Sequence, residues 1–168
     1  MKNKRNNLFE TNSSSVHAIV IDRHPYTGDL QDLGVSFSGD DTEFGWESNT
    51  YYDTYSKLQY LISCINDVYW GEADAEEKIA KLKKKFEGLM SELGVECVEY
   101  GTGGVDHGYR TKNFVEFVLQ DLDTLKRYLF SNNSYVVTGN DNNEECYVFD
   151  TINQEENNPD VDLFEKGN

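Results

Sequence analysis

Long apolar runs are missing from this sequence. No stretch approaches the roughly 20 consecutive apolar residues that a membrane span needs, and the opening MKNKRNN leads into no apolar signal core. The chain is therefore expected to be soluble and cytoplasmic, neither secreted nor inserted, so the sequons at Asn12 and Asn132 are not expected to carry glycans. Cysteine is scarce and odd in number: Cys64, Cys97 and Cys146 show no disulfide-framework spacing, which points to reduced thiols. Basic residues are the third deficit. Fifteen Lys and Arg stand against 31 Asp and Glu, for a formal net charge of −16. Such a chain cannot readily surround a phosphate backbone, so direct binding to nucleic acid is not expected. The same charge suits a basic protein surface, including a groove that otherwise holds DNA or RNA. Plain solvation of the surface is the alternative reading.

Several motifs are also missing. There is no Walker lysine pattern and no Gly-x-Gly-x-x-Gly opening a helix, so the glycines of GTGG at 101–104 do not make a nucleotide site. No Cys-x-x-Cys, His-Glu-x-x-His or calcium loop occurs. A zinc site would have to be assembled from distant residues of suitable type: His17, His107, Asp106, Cys97 and Cys146. The dispersed carboxylates nominate no glycosidase-type pair.

What is present indicates a folded chain. With 168 residues, 38% of them hydrophobic and 13% aromatic, one domain can bury a core without disulfide staples. The expected class is α+β: a single domain over residues 1–150 with a mixed or antiparallel sheet of about five strands against two to three helices. An acidic tail, 151–168, is expected to be mobile except for an anchor at Leu163 and Phe164.

The strand expected at 16–22 carries Val16, Ala18 and Val20 on one face and His17, Ile19 and Ile21 on the other, which suits a central strand with His17 partly buried. A short strand is expected at 35–38, and another at 95–100. Apolar residues at helical spacing mark helices at 54–69 and 74–93, the second with Glu76 and Glu77 in its first turn, a solvated lysine stripe and Gly94 as its stop. The dense apolar run at 114–119 suits either a strand or the start of a long helix. The strand is preferred, with a helix following at 121–130. Segments 135–138 and 146–149 are expected to form a hairpin around GNDNNEE.

Two groups of residues carry functional expectations. The segment 39–53 mixes acids with aromatics; Asp40, Asp41, Glu43, Trp46, Glu47 and Tyr51 form a candidate binding patch in which rings anchor and charges steer. The second group is polar. Ser13, Ser14 and Ser15, between Asn12 and His17, invite a nucleophile-and-base reading. On one strand, however, Ser15 and His17 would stand about 7 Å apart, and a turn that hydrogen-bonds its own backbone is the preferred role.

FETNSSSVH at residues 9–17, VDHGY at 105–109 and TGNDN at 138–142 resemble motifs of a family of small phage and prophage proteins. Some small acidic proteins from such prophages are anti-CRISPR proteins that inhibit type II effector nucleases by binding their nucleic-acid-handling lobes. The resemblance thus implies a non-enzymatic inhibitor in the host bacterial cytoplasm. It also draws Asn12, Ser13, Ser14, Ser15, His17, Asp106 and His107 into one polar site. The alternative is a small zinc-dependent or Ser/His enzyme centred on His17 and His107.

Overall fold

A strand with apolar residues at both parities leaves no side for water, and the strand at Ser15–Asp22 is buried at every position. The computed structural model describes residues 15–45, 47–106, 108–140 and 147–166. Asn12, Ser13, Ser14, Trp46, His107 and Cys146 lie outside the described residues. Along the chain the elements are β1 (Ser15–Asp22), β2 (Ser36–Ser38), β3 (Asn49–Tyr51), α1 (Thr54–Asp67), α2 (Ala75–Glu92), β4 (Cys97–Glu99), a 3₁₀ turn (Gly108–Thr111), α3 (Lys112–Val118), α4 (Leu122–Phe130), β5 (Tyr135–Asn140), α5 (Val148–Glu155) and β6 (Val161–Lys166).

The class is α+β. Among the described residues a four-stranded antiparallel sheet runs in the order β3-β5-β1-β6, and β2 and β4 form a separate parallel pair. The described strands thus divide four and two, and among the described residues five α-helices pack around them rather than two or three. Register assigns the faces. Ile19, opposite Val136 and Phe164, looks into the main core with Ile21. Ala18, opposite Val137, looks into a smaller cluster with Val16 and Val148 beneath α5.

Helix α1 is the hub of the main core. Asp53 caps it by accepting from the Ser56 backbone N–H at 2.8 Å, and every residue from Lys57 to Ile65 is buried. Lys57 tolerates this because its amine donates to the carbonyls of Ser131 (3.1 Å) and Ser134 (2.9 Å), where α4 ends and unpaired carbonyls collect. Burial still pulls its pKa down to about 8. The outlying α2 fully buries only Phe86 and Met90, so its lysine stripe faces water as expected.

Three expectations are corrected. The apolar run at 114–119 is helical: Phe114, Val115 and Val118 fall on one helical face, and the Phe114 ring meets Tyr128 at 5.2 Å and Tyr60 at 5.9 Å. A short apolar run reads equally as strand or helix, and here the aromatic cage decides. The hairpin of 135–138 with 146–149 does not form. Both edges of β5 are taken by β1 and β3, and Val148 begins α5, spaced with Ile152 to cover the sheet. The segment after residue 151 is no tail. It completes α5 and then supplies β6, paired with β1 from Asp22↔Val161 to His17↔Lys166. Leu163 and Phe164 do anchor it, one on each face, with Phe164 5.0 Å from the Phe117 ring.

Removing residues 161–168 is accordingly expected to lower the unfolding free energy by roughly 4 kcal/mol, from the lost burial of Val161, Leu163 and Phe164. Urea denaturation followed by tryptophan fluorescence measures this. A truncated chain with the full-length midpoint would contradict the role of β6.

Candidate functional site: a buried polar cluster beneath an acidic ridge

The core-facing side of the sheet changes character along its length. Apolar at Ile19, Ile21, Val136 and Phe164, it becomes polar where Ser15 and His17 of β1 stand beside Thr138 of β5 and Lys166 of β6. All four are buried. Tyr60 reaches them from α1, its hydroxyl 2.7 Å from His17 Nδ1. The Lys166 amine donates to the Ser15 carbonyl at 2.9 Å and also contacts Ser15 Oγ, while Ser15 Oγ donates to the Asp106 carbonyl at 3.3 Å. Ser15 and His17 therefore share a face, but each engages a different partner and no serine–imidazole bond forms.

Burial sets the protonation states. Desolvation, then the charge of Lys166, holds the His17 imidazole well below its ordinary range, so it is neutral at pH 7. Lys166 is itself brought down to about 8 by burial, against the opposing pull of Asp106. Burial pushes the Cys64 thiol up to about 12, which makes it an inert core residue. Among the described residues His17 Nε2 has no hydrogen-bond partner.

Gly45 closes the cluster. Its φ is +134°, and a Cβ there would sit 2.6 Å from Ser15 Cβ and 3.2 Å from His17 Nε2. Only glycine lets the chain cross so near the strand end.

The strip leading to Gly45 forms an acidic ridge. Residues 39–45 lie along 99–106 through backbone bonds: Gly39 N to Glu99 O at 2.7 Å, Gly103 N to Asp40 O at 3.1 Å, Phe44 N to Gly104 O at 3.0 Å and Asp106 N to Phe44 O at 3.2 Å. The Thr102 hydroxyl bonds Asp41. A Cβ on Gly101, whose φ is +60°, would lie 2.4 Å from the Asp40 carbonyl. The glycines of GTGG thus serve close approach, Gly101 and Gly103 to the backbone of the facing strip and Gly104 to the Asp67 carboxylate. Asp40, Asp41, Glu43 and Glu99 are exposed, and neither strip contains a lysine or arginine. Beside them a cavity of about 190 Å³ is lined by Glu43, Asp67 and Asp106 among others. Burial there raises the Asp67 carboxyl pKa, although the Val105 N–H donates to it at 3.0 Å, and Glu43 raises it further.

The structure thus brings Ser15, His17 and Asp106 together and sets Asp40, Asp41 and Glu43 above them. Glu47 is exposed nearby, and its carbonyl accepts from Thr138 Oγ1 at 2.9 Å. Tyr51 is half-buried on the core face with its ring edge-on to Phe44 at 5.3 Å, beneath the ridge. Cys97 is exposed on β4, in the other sheet. No group of three or more His, Cys, Asp or Glu side chains able to hold a metal ion occurs among the described residues, and the zinc reading draws on His107 and Cys146, which lie outside them. Sequence reasoning missed Lys166, Tyr60 and Asp67. The alternation in VDLFEK was the available signal for β6, but nothing local ties residue 166 to residue 17.

The neutral, buried His17 carries a pH signature. Its folded pKa is depressed, so below about pH 6.5 the unfolded chain binds the extra proton. Stability is then expected to fall by about 1.4 kcal/mol per pH unit from pH 6 towards 5. Urea unfolding of wild type and His17→Asn over that range tests it; an equal slope in both would refute the assignment to His17.

Among the described residues no helix is long and apolar enough to cross a membrane. No protein-family model, curated protein or solved structure matches the chain.

Proposed function

We propose that this chain is a binding protein whose acidic ridge occupies a basic, nucleic-acid-handling surface of a host enzyme, with a type II CRISPR effector nuclease as the first target to examine. The supporting observation is the ridge itself. Asp40, Asp41, Glu43, Asp67, Glu99 and Asp106 sit on or beside two backbone-paired strips that hold no basic residue. Carboxylates held on a paired, glycine-tightened backbone lose little conformational freedom on binding, and a surplus of one sign steers encounter with a basic groove. Inhibition would be stoichiometric, by exclusion of the nucleic acid.

The combined change Asp40→Asn, Asp41→Asn, Glu43→Gln leaves the core untouched and is expected to weaken capture of the effector about tenfold or more, with a smaller dependence on salt. Calorimetric titration of the effector at low and moderate salt measures both. No complex with the wild-type protein at low salt would defeat this target, and binding indifferent to all three changes would defeat the ridge.

A second reading has its own supporting observation, the Lys166 amine on Ser15 Oγ. A lysine brought down to about 8 is a competent base for a serine hydroxyl, which it would deprotonate for attack on an acyl carbon. Both groups are buried, so this reading needs the strand end to open. A fluorophosphonate probe is expected to label Ser15 in wild type but not in Lys166→Met. Absence of labelling in the wild type counts against an enzyme.

A further inference from the structure

The other face of the sheet carries a separate feature. Helix α5 is only eight residues long, about 12 Å, and packs over β1, β5 and β6. The β3 side of that face is left uncovered. The result is a groove of about 530 Å³, within the range of small-molecule sites. Its floor is Thr50 of β3 with Tyr135 and Val137 of β5, one wall is α5, and the loop after α4 closes an end.

Its chemistry is specific in three respects. Two tyrosine rings, Tyr52 and Tyr135, meet at 5.1 Å, and Tyr52 is 58% exposed, so it offers a face for stacking. The side chains of Asn132 and Gln154, with the hydroxyls of Thr50 and Tyr52, make no hydrogen bond within the protein among the described residues. Each amide presents a donor and an acceptor together, the pattern that matches neighbouring hydroxyls. Among the described residues no lysine or arginine lines the groove, its one imidazole, His24, already faces Asp22 at 2.9 Å and Asp160 at 3.7 Å, and Asp160 and Glu155 add negative charge, which disfavours a phosphorylated ligand. Glu155 accepts from Tyr135 OH at 3.0 Å and from Asn158 Nδ2 at 2.6 Å, which ties its carboxylate to the walls of the groove.

We propose that this groove binds a neutral polyhydroxylated ligand, a mono- or disaccharide, stacked on Tyr52 and hydrogen-bonded by Asn132 and Gln154. The site is independent of the acidic ridge, which belongs to the helical side of the sheet.

Saturation-transfer NMR on the full chain with glucose, galactose, N-acetylglucosamine, maltose and cellobiose at tens of millimolar tests it, with spermidine and AMP as charged comparators. At least one sugar is expected to bind and to shift the amide resonances of Thr50, Asn132 and Gln154. Tyr52→Ala is expected to weaken that sugar about tenfold, and Gln154→Ala to weaken it as well. Both positions are exposed, and an unchanged circular-dichroism melt confirms that the fold survives. The proposal is overturned if no sugar binds, if neither variant weakens binding, or if spermidine or AMP occupies the groove while the sugars are silent.

Discussion

The pairing of β1 on both edges, with both of its faces covered, is the constraint on which everything else in this protein rests. An eight-residue strand with apolar side chains on both faces, Ile19 and Ile21 on one and Val16, Ala18 and Val20 on the other, cannot face water, so the chain must provide two strand neighbours and two covering layers. β5 supplies one edge and β6 the other. Helices α1, α3 and α4 cover one face, and α5 covers the opposite one. The C-terminal segment is thereby drawn into the centre of the fold.

That arrangement also creates the polar cluster. At the open end of the sheet the register sets Lys166 directly across from His17, so a long basic side chain enters the core wherever β6 pairs in this register. A buried ammonium is costly unless it is bonded. Ser15 meets the need with its carbonyl and hydroxyl, and Asp106 adds a favourable field. His17, kept neutral first by its own burial and then by the charge of Lys166, is held through Nδ1 by Tyr60. A second buried lysine, Lys57, is handled in the same way, by carbonyls at the end of α4. Backbone carbonyls thus receive both buried ammonium groups.

The cluster and the acidic ridge form one continuous structure. Gly45 ends the strip that carries Asp40, Asp41 and Glu43 and lies against Ser15 and His17, while Asp106 ends the facing strip and accepts from Ser15. Motif residues near positions 15 and 106 therefore hold the base of a charged surface in place. Their part in positioning the ridge is physical whether or not the serine hydroxyl ever reacts. The groove beside α5 has no share in this network and has different chemistry, with amides and tyrosines alongside its two carboxylates.

Local pattern alone determined the α+β class, the central placement of β1, the helices α1, α2 and α4 and the short strands β2 and β4. In each of these the period of apolar residues, or a cap such as Asp53 or the stop at Gly94, is written in consecutive positions. The acidic surplus and the first strip of the ridge, Asp40, Asp41 and Glu43, were legible for the same reason, since they fall within a few positions of one another, whereas Asp67, Glu99 and Asp106 join them only through the fold. Tertiary structure alone decided that 114–118 is helical, that α5 replaces a hairpin, that the chain's last strand lies beside its first, and that Lys166 and Tyr60 meet His17. Those outcomes depend on which surfaces remain uncovered after the other elements have docked, and on contacts between residues as far apart as 15 and 166. No local period encodes such contacts, because the free energy that selects them comes from burial shared among many segments at once.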